Sequence, residues 1–101
     1  MRVMVLFDLP VGTAAERRDY SHFRKRLIRL GFLMMQESVY TKIVLNPAAA
    51  AAIIAKVREY RPAAGLIQAL VVTEKQFAGM ELILGEMPRT VVDSTERLVI
   101  L

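Results

Sequence analysis

A chain of 101 residues, 54% of them hydrophobic, makes one domain with more apolar surface than its own interior can hide. It has no cysteine, which excludes disulfides and thiolate metal sites and suits a reducing, cytoplasmic setting; its longest apolar run, residues 48–55, is too short to span a membrane. The net charge of +4 is one-sided, because residues 1–31 hold seven Lys/Arg against three acids while the rest of the chain holds seven of each, and such concentration points to a polyanionic partner.

The chain opens MRVMVLFDLP. RVMVLFD is apolar on both faces, so it predicts a strand in the middle of a sheet, ended by Asp8 and broken by Pro10 and Gly12. This apolar start, cut short by Asp-Leu-Pro, does not read as a secretory signal. Thr13 and Glu16 form a T-x-x-E capping box that starts a helix, which runs to about Leu30 and stops at Gly31.

FLMMQ and SVYTKIVL predict two strands joined at Gln36-Glu37-Ser38 by a tight hairpin or a bulged bend. Asn46-Pro47 caps a second helix that continues through AAAAAIIAKVREY to Arg61-Pro62. LIQALVVT is a further strand, TEKQ at 73–76 a second capping box with one helical turn, and MELIL at 80–84 a short strand. GEMPRTVVDSTE reads as a loop, and RLVIL closes the chain as a last strand.

The order β-α-β-β-α-β with extra C-terminal strands is that of an α+β, ferredoxin-like domain occupying residues 1–101, with both helices on one face of an antiparallel sheet. The other face carries half the side chains of very apolar strands. A second copy related by a two-fold axis would cover it, which predicts a homodimer.

In the first helix, Tyr20, Phe23, Leu27 and Leu30 make the buried seam, and Arg18, His22, Lys25 and Arg29 fall opposite. Arg17 and Arg24 lie on one flank and Arg26 on the other. Arg18 and Arg29 are about 16 Å apart along the axis, a span that reaches several phosphates of a duplex. Arginine outnumbers lysine five to one between 17 and 29, and its fork suits phosphate. The same face can also serve simply as the helix's solvated side. The helix starts close enough to Asp8 for Arg17 to approach that carboxylate. His22 reads as a surface residue. No P-loop, dinucleotide glycine pattern, HExxH or G-x-S-x-G is present.

Asp8 has two readings. It is a strand-end residue capping the next turn, or it is a metal ligand. One aspartate holds Mg²⁺ poorly, because that ion wants near-octahedral oxygen coordination. Two copies across a two-fold axis, with phosphate oxygens and water, would make a workable Mg²⁺ site for attack on a phosphodiester.

FD at the end of the first strand, an arginine-rich first helix, then G-F-x-x-x-Q-x-S-V-Y from Gly31 to Tyr40, together resemble the CRISPR adaptation family Cas2. T-E-K-Q-F-A at 73–78 and E-R-L-V-I-L at 96–101 are similar to its type II branch. The resemblance covers the whole chain, and it lies in the order and spacing of these pieces. It implies a ferredoxin-like homodimer whose C-terminal strand, residues 96–101, joins the partner's sheet. It also implies a role in spacer acquisition, in which the dimer bridges dimers of the Cas1 integrase and follows the backbone of double-stranded prespacer DNA. Some members are described as metal-dependent nucleases acting on RNA or DNA. In those, the strand-end aspartate, here Asp8, is the Mg²⁺ ligand. The early helix arginines match Arg17 and Arg18, and the serine and aromatic of the strand motif match Ser38 and Tyr40 as supporting residues. Met34 stands where many members carry arginine, and Tyr40 where many carry phenylalanine. The competing readings are a non-catalytic DNA scaffold, an Mg²⁺-dependent endonuclease or endoribonuclease, and a small-molecule-binding regulatory domain. The charge asymmetry argues against the third.

Overall fold

The computed structural model describes residues 1–86. The elements run β1 (Arg2–Asp8), α1 (Ala14–Arg29), β2 (Leu33–Gln36), β3 (Val39–Ile43), α2 (Pro47–Glu59), β4 (Leu66–Val72) and α3 (Glu74–Ala78). The strands form one antiparallel sheet in the order β2-β3-β1-β4. β1 is therefore flanked on both sides, as its unbroken apolar run requires. Val5 lies between Tyr40 of β3 and Ala69 of β4.

Alternation along β1 sends Val3, Val5 and Phe7 to one face, where they are buried with Tyr40 against Phe23 and Leu27 of α1 and Ala50 and Val57 of α2. The Phe7 ring is the centre of this layer. It meets Phe23 edge-on at 5.2 Å, stacks on Tyr40 at 5.7 Å, and tilts against Tyr20 at 5.9 Å. The seam predicted for α1 is thus the one that packs.

Local chemistry sets the element ends. Thr13 and Glu16 form the predicted capping box at the start of α1, and Asn46 accepts from the Ala49 amide at the start of α2. Gly31, at φ 100°, turns the chain out of α1 in a conformation that other residues avoid. Both alternatives for the β2–β3 join are realised. Glu37 and Ser38 form a two-residue turn, and Met35 bulges, so that Met34 pairs with Tyr40 but Gln36 pairs with Val39.

The face away from α1 and α2 carries Arg2, Met4, Leu6 and Asp8 of β1, with Leu70 of β4 and Leu33 of β2 exposed beside them. α3, opened by the predicted Thr73–Gln76 capping box, is fastened to this face through Arg2. The Arg2 guanidinium bonds Glu74 and lies over the Phe77 ring, 3.9 Å from its centroid.

Residues 80–84 correct the sequence reading. They form no strand; the chain leaves α3 irregular, with Leu82, Ile83 and Leu84 largely exposed. This stretch, Phe77 and Met35–Gln36 of β2 surround a cavity of about 580 Å³. The apolar run has strand-like composition, but a strand needs a ladder partner, and no other strand is paired with it among the described residues. The predicted closing strand at 97–101 and the loop from residue 87 onward lie outside the described residues.

Candidate nucleic-acid interface

Asp8 ends β1 with its side chain exposed on the face opposite the helices. Its backbone is held tightly on both sides. It pairs with Leu66 of β4, and the preceding amide, Phe7 N, donates to the Ser38 carbonyl at 3.1 Å. Leu9, immediately after it, is buried. Gly65, at φ 113°, packs so closely that a Cβ there would meet the Asp8 carbonyl oxygen at 3.0 Å and Leu9 Cδ2 at 2.5 Å. Asp8 is therefore a carboxylate on a rigid mount. Among the described residues its side chain forms no hydrogen bond or ion pair, so it does not cap the following turn.

The structure brings Ser38 to the same end of the sheet, opposite Phe7. It does not bring Tyr40 there. Tyr40 points into the core, fully buried, and its hydroxyl has no hydrogen-bond partner. Phenylalanine would fill that space without leaving a polar atom unpaired.

Arg17 is exposed in the first turn of α1, but it is engaged locally. Its Nη1 donates to the carbonyls of Val11 (3.2 Å) and Gly12 (3.4 Å). Glu16 Oε1 accepts from the Gly12 and Thr13 amides at 3.0 Å each. Together these side chains brace the connection between Asp8 and α1. Arg17 thus orders the loop rather than pairing with Asp8.

Arg18, Lys25 and Arg29 stand exposed along α1 with no acidic partner among the described residues. His22 is exposed as well. Sequence reasoning missed two associations. Arg26 lies over the Tyr60 ring at 4.6 Å, and Arg2 binds Glu74. The first had a partial signal, since Arg26 falls on the α1 flank away from Arg17 and Arg24. The second had none, because its partners are 72 positions apart.

No group of three or more His, Cys, Asp or Glu side chains able to hold a metal ion occurs among the described residues. On the face that carries Asp8 the donor at the strand end is one carboxylate, since Ser38 stands opposite Phe7, whose side chain faces the helices. One chain alone does not fit an octahedral cation, whereas two such ends facing each other would supply two carboxylates. No helix of the described residues is long and apolar enough to cross a membrane.

Comparison with known proteins gives a consistent result. The family model described as CRISPR associated protein Cas2 matches residues 1–80. A Treponema denticola protein named CRISPR-associated endoribonuclease Cas2 is 50% identical over 101 residues, covering all of both chains. A Streptococcus mutans protein of the same name is 48% identical over 101 residues, covering all of this chain and 93% of its own. The crystal structure of Streptococcus pyogenes Cas2 at pH 6.5 superposes with a TM-score of 0.63 at 23% identity, covering 84% of this chain and all of that one. That likeness bears on the fold alone.

Proposed function

The chain belongs to the CRISPR-associated Cas2 family, and we propose that it acts in CRISPR adaptation as a homodimer that binds the backbone of duplex DNA and bridges two dimers of the Cas1 integrase. The observation that carries this reading is the outer face of α1. Arg18, Lys25 and Arg29 are exposed, spread over three helical turns, and unpaired with acids among the described residues. Arg17 adds charge at the same helix's start while holding the loop. Such a row suits the regularly spaced phosphates of a polyanion. The exposed apolar side chains on the open sheet face, Leu33 and Leu70 among them, support a second copy as the cover.

A second reading is favoured by Asp8. A rigid, unpaired carboxylate near a two-fold axis becomes a pair, and the two Asp8 side chains would hold Mg²⁺ between them. When bound, that ion supplies charge stabilisation to a phosphate and a more acidic water. The chain's own part is to hold the two carboxylates in place through Leu66, Ser38 and Gly65. The substrate is then a phosphodiester in RNA or DNA, in line with the endoribonuclease name borne by the relatives.

Fluorescence titration of a duplex at several salt concentrations tests the scaffold reading. Arg18→Glu with Lys25→Glu is expected to weaken binding and to lower the slope of log K against log salt by roughly two, about 0.9 for each phosphate that is no longer neutralised. An unchanged slope would remove this face of α1 from the footprint.

A further inference from the structure

The strand register lines up Leu33, Thr41, Met4 and Leu70 as one row across all four strands, on the face away from α1 and α2. The two inner members, Thr41 and Met4, are buried, while the two outer ones, Leu33 and Leu70, are exposed. Something therefore covers the middle of this face. Among the described residues, what lies on this side is α3 and the chain that follows it. Phe77 sits on Arg2 of β1, and residues 80–84 wall one cavity together with Met35 and Gln36 of β2. The segment crosses the sheet as a strap.

The strap is loosely seated. The cavity between it and β2 measures about 580 Å³, so the atoms on both walls lack packing partners. No residue of α3 is buried, and Ile83 and Leu84 are 91% and 92% exposed. With five residues, α3 is too short to hold itself together as a helix. Its fastening is the Arg2 guanidinium, which bonds Glu74 and lies over the Phe77 ring. The Glu74 side chain is about half exposed, and an ion pair in such a setting holds weakly. We infer that α3 and residues 80–84 are a displaceable strap, latched by Glu74 on Arg2, that competes with a second copy of this chain for the open sheet face. The strap and the copy cannot both lie on Met4 and Thr41, and a copy that covers Leu33 and Leu70 across the full row takes the strap's place. Release costs the latch. It also frees Leu82, Ile83 and Leu84 for burial between the copies, which a single chain does not offer them. Each dimer opens two latches, so a change in the latch acts twice on dimer affinity.

The competition rests on the homodimer proposed above, and its test is the dimer dissociation constant of the full chain by analytical ultracentrifugation. Glu74→Gln is expected to tighten the dimer about tenfold, roughly threefold for each latch. Closing the strap covalently should do the opposite. The chain has no cysteine, so Met35→Cys with Leu82→Cys, two positions on the wall of one cavity, can be bridged by a bismaleimide in dilute solution. Mass spectrometry identifies the species linked within one chain. That species is expected to stay monomeric at concentrations where the same variant, unbridged, forms dimers. Equal dimerisation of the bridged and unbridged forms, or a Glu74→Gln dimer no tighter than the wild type, overturns the strap while leaving the homodimer standing. A chain that is monomeric at every concentration, in wild type and variants alike, would overturn the homodimer and the strap with it.

Discussion

Arg2 Nε stands 3.1 Å from Oε1 and 3.0 Å from Oε2 of Glu74, joining the first strand to the last described helix across 72 positions. The N-terminal amine of Met1 adds a longer contact to the same carboxylate, 3.7 Å from Oε2. Hydrogen bonding from Arg2, and then the positive charge of Arg2 and of the N-terminus, hold the Glu74 carboxyl below its ordinary value of 4.5. A depressed carboxylate pKa stabilises the folded state above the unfolded value, and that contribution is lost as pH falls through the folded one. Hydrogen exchange at the α3 amides should therefore quicken as pH drops below about 4.5, beyond the intrinsic pH effect. Glu74→Gln should start with faster exchange and show no such additional change. Identical profiles for the two proteins would mean that α3 is held by other contacts.

Tyr40→Phe removes a buried hydroxyl that has no partner. It should leave stability unchanged or raise it by up to about 1 kcal/mol in urea unfolding. Tyr40→Ala empties the layer around Phe7 and should cost about 3–5 kcal/mol. A drop of more than about 1 kcal/mol in Tyr40→Phe would show that the hydroxyl is bonded in solution.

Gly65→Ala places a Cβ against Leu9 and the Asp8 carbonyl in a left-handed backbone region. A cost of about 1–3 kcal/mol in thermal or urea unfolding is expected. Because Gly65 supports the strand end, any metal-dependent cleavage should fall as well. Full activity alongside reduced stability would mean that the Asp8 mount tolerates the displacement.

Asp8→Asn keeps the shape of the strand end and removes its charge. Cleavage stimulated by Mg²⁺ should drop by at least about a hundredfold, the scale of losing a metal's charge stabilisation. Duplex affinity, which the proposed function assigns to α1, should change by less than about twofold. Unchanged cleavage in this variant would place the activity elsewhere.

Much of this molecule was legible because the relevant forces act over a few residues. The T-x-x-E pattern at Thr13, the T-x-x-Q pattern at Thr73 and the Asn46-Pro47 start each satisfy helix-end amides within three positions, so reading them needs no tertiary knowledge. The unbroken apolar run of β1 likewise implies a strand flanked on both sides, and Asp8 follows as its exposed end. Met80–Leu84 misled for the opposite reason. Its composition suits a strand, but strand formation depends on a partner supplied from elsewhere in space.

By itself, then, the amino-acid order determined the elements from β1 to α3, their caps, the packed seam of α1 and the one-sided positive charge, since all of these follow from local periodicity and composition. Only the tertiary structure decided how individual side chains are used. Tyr40 went to the core because the register of β3 against β1 sets it beside Val5 and under α1. Arg17 turned to the Val11 and Gly12 carbonyls because the loop after Asp8 presents them. Arg26 met Tyr60, and Arg2 met Glu74, because chain folding closed distances of 34 and 72 positions that no local pattern records.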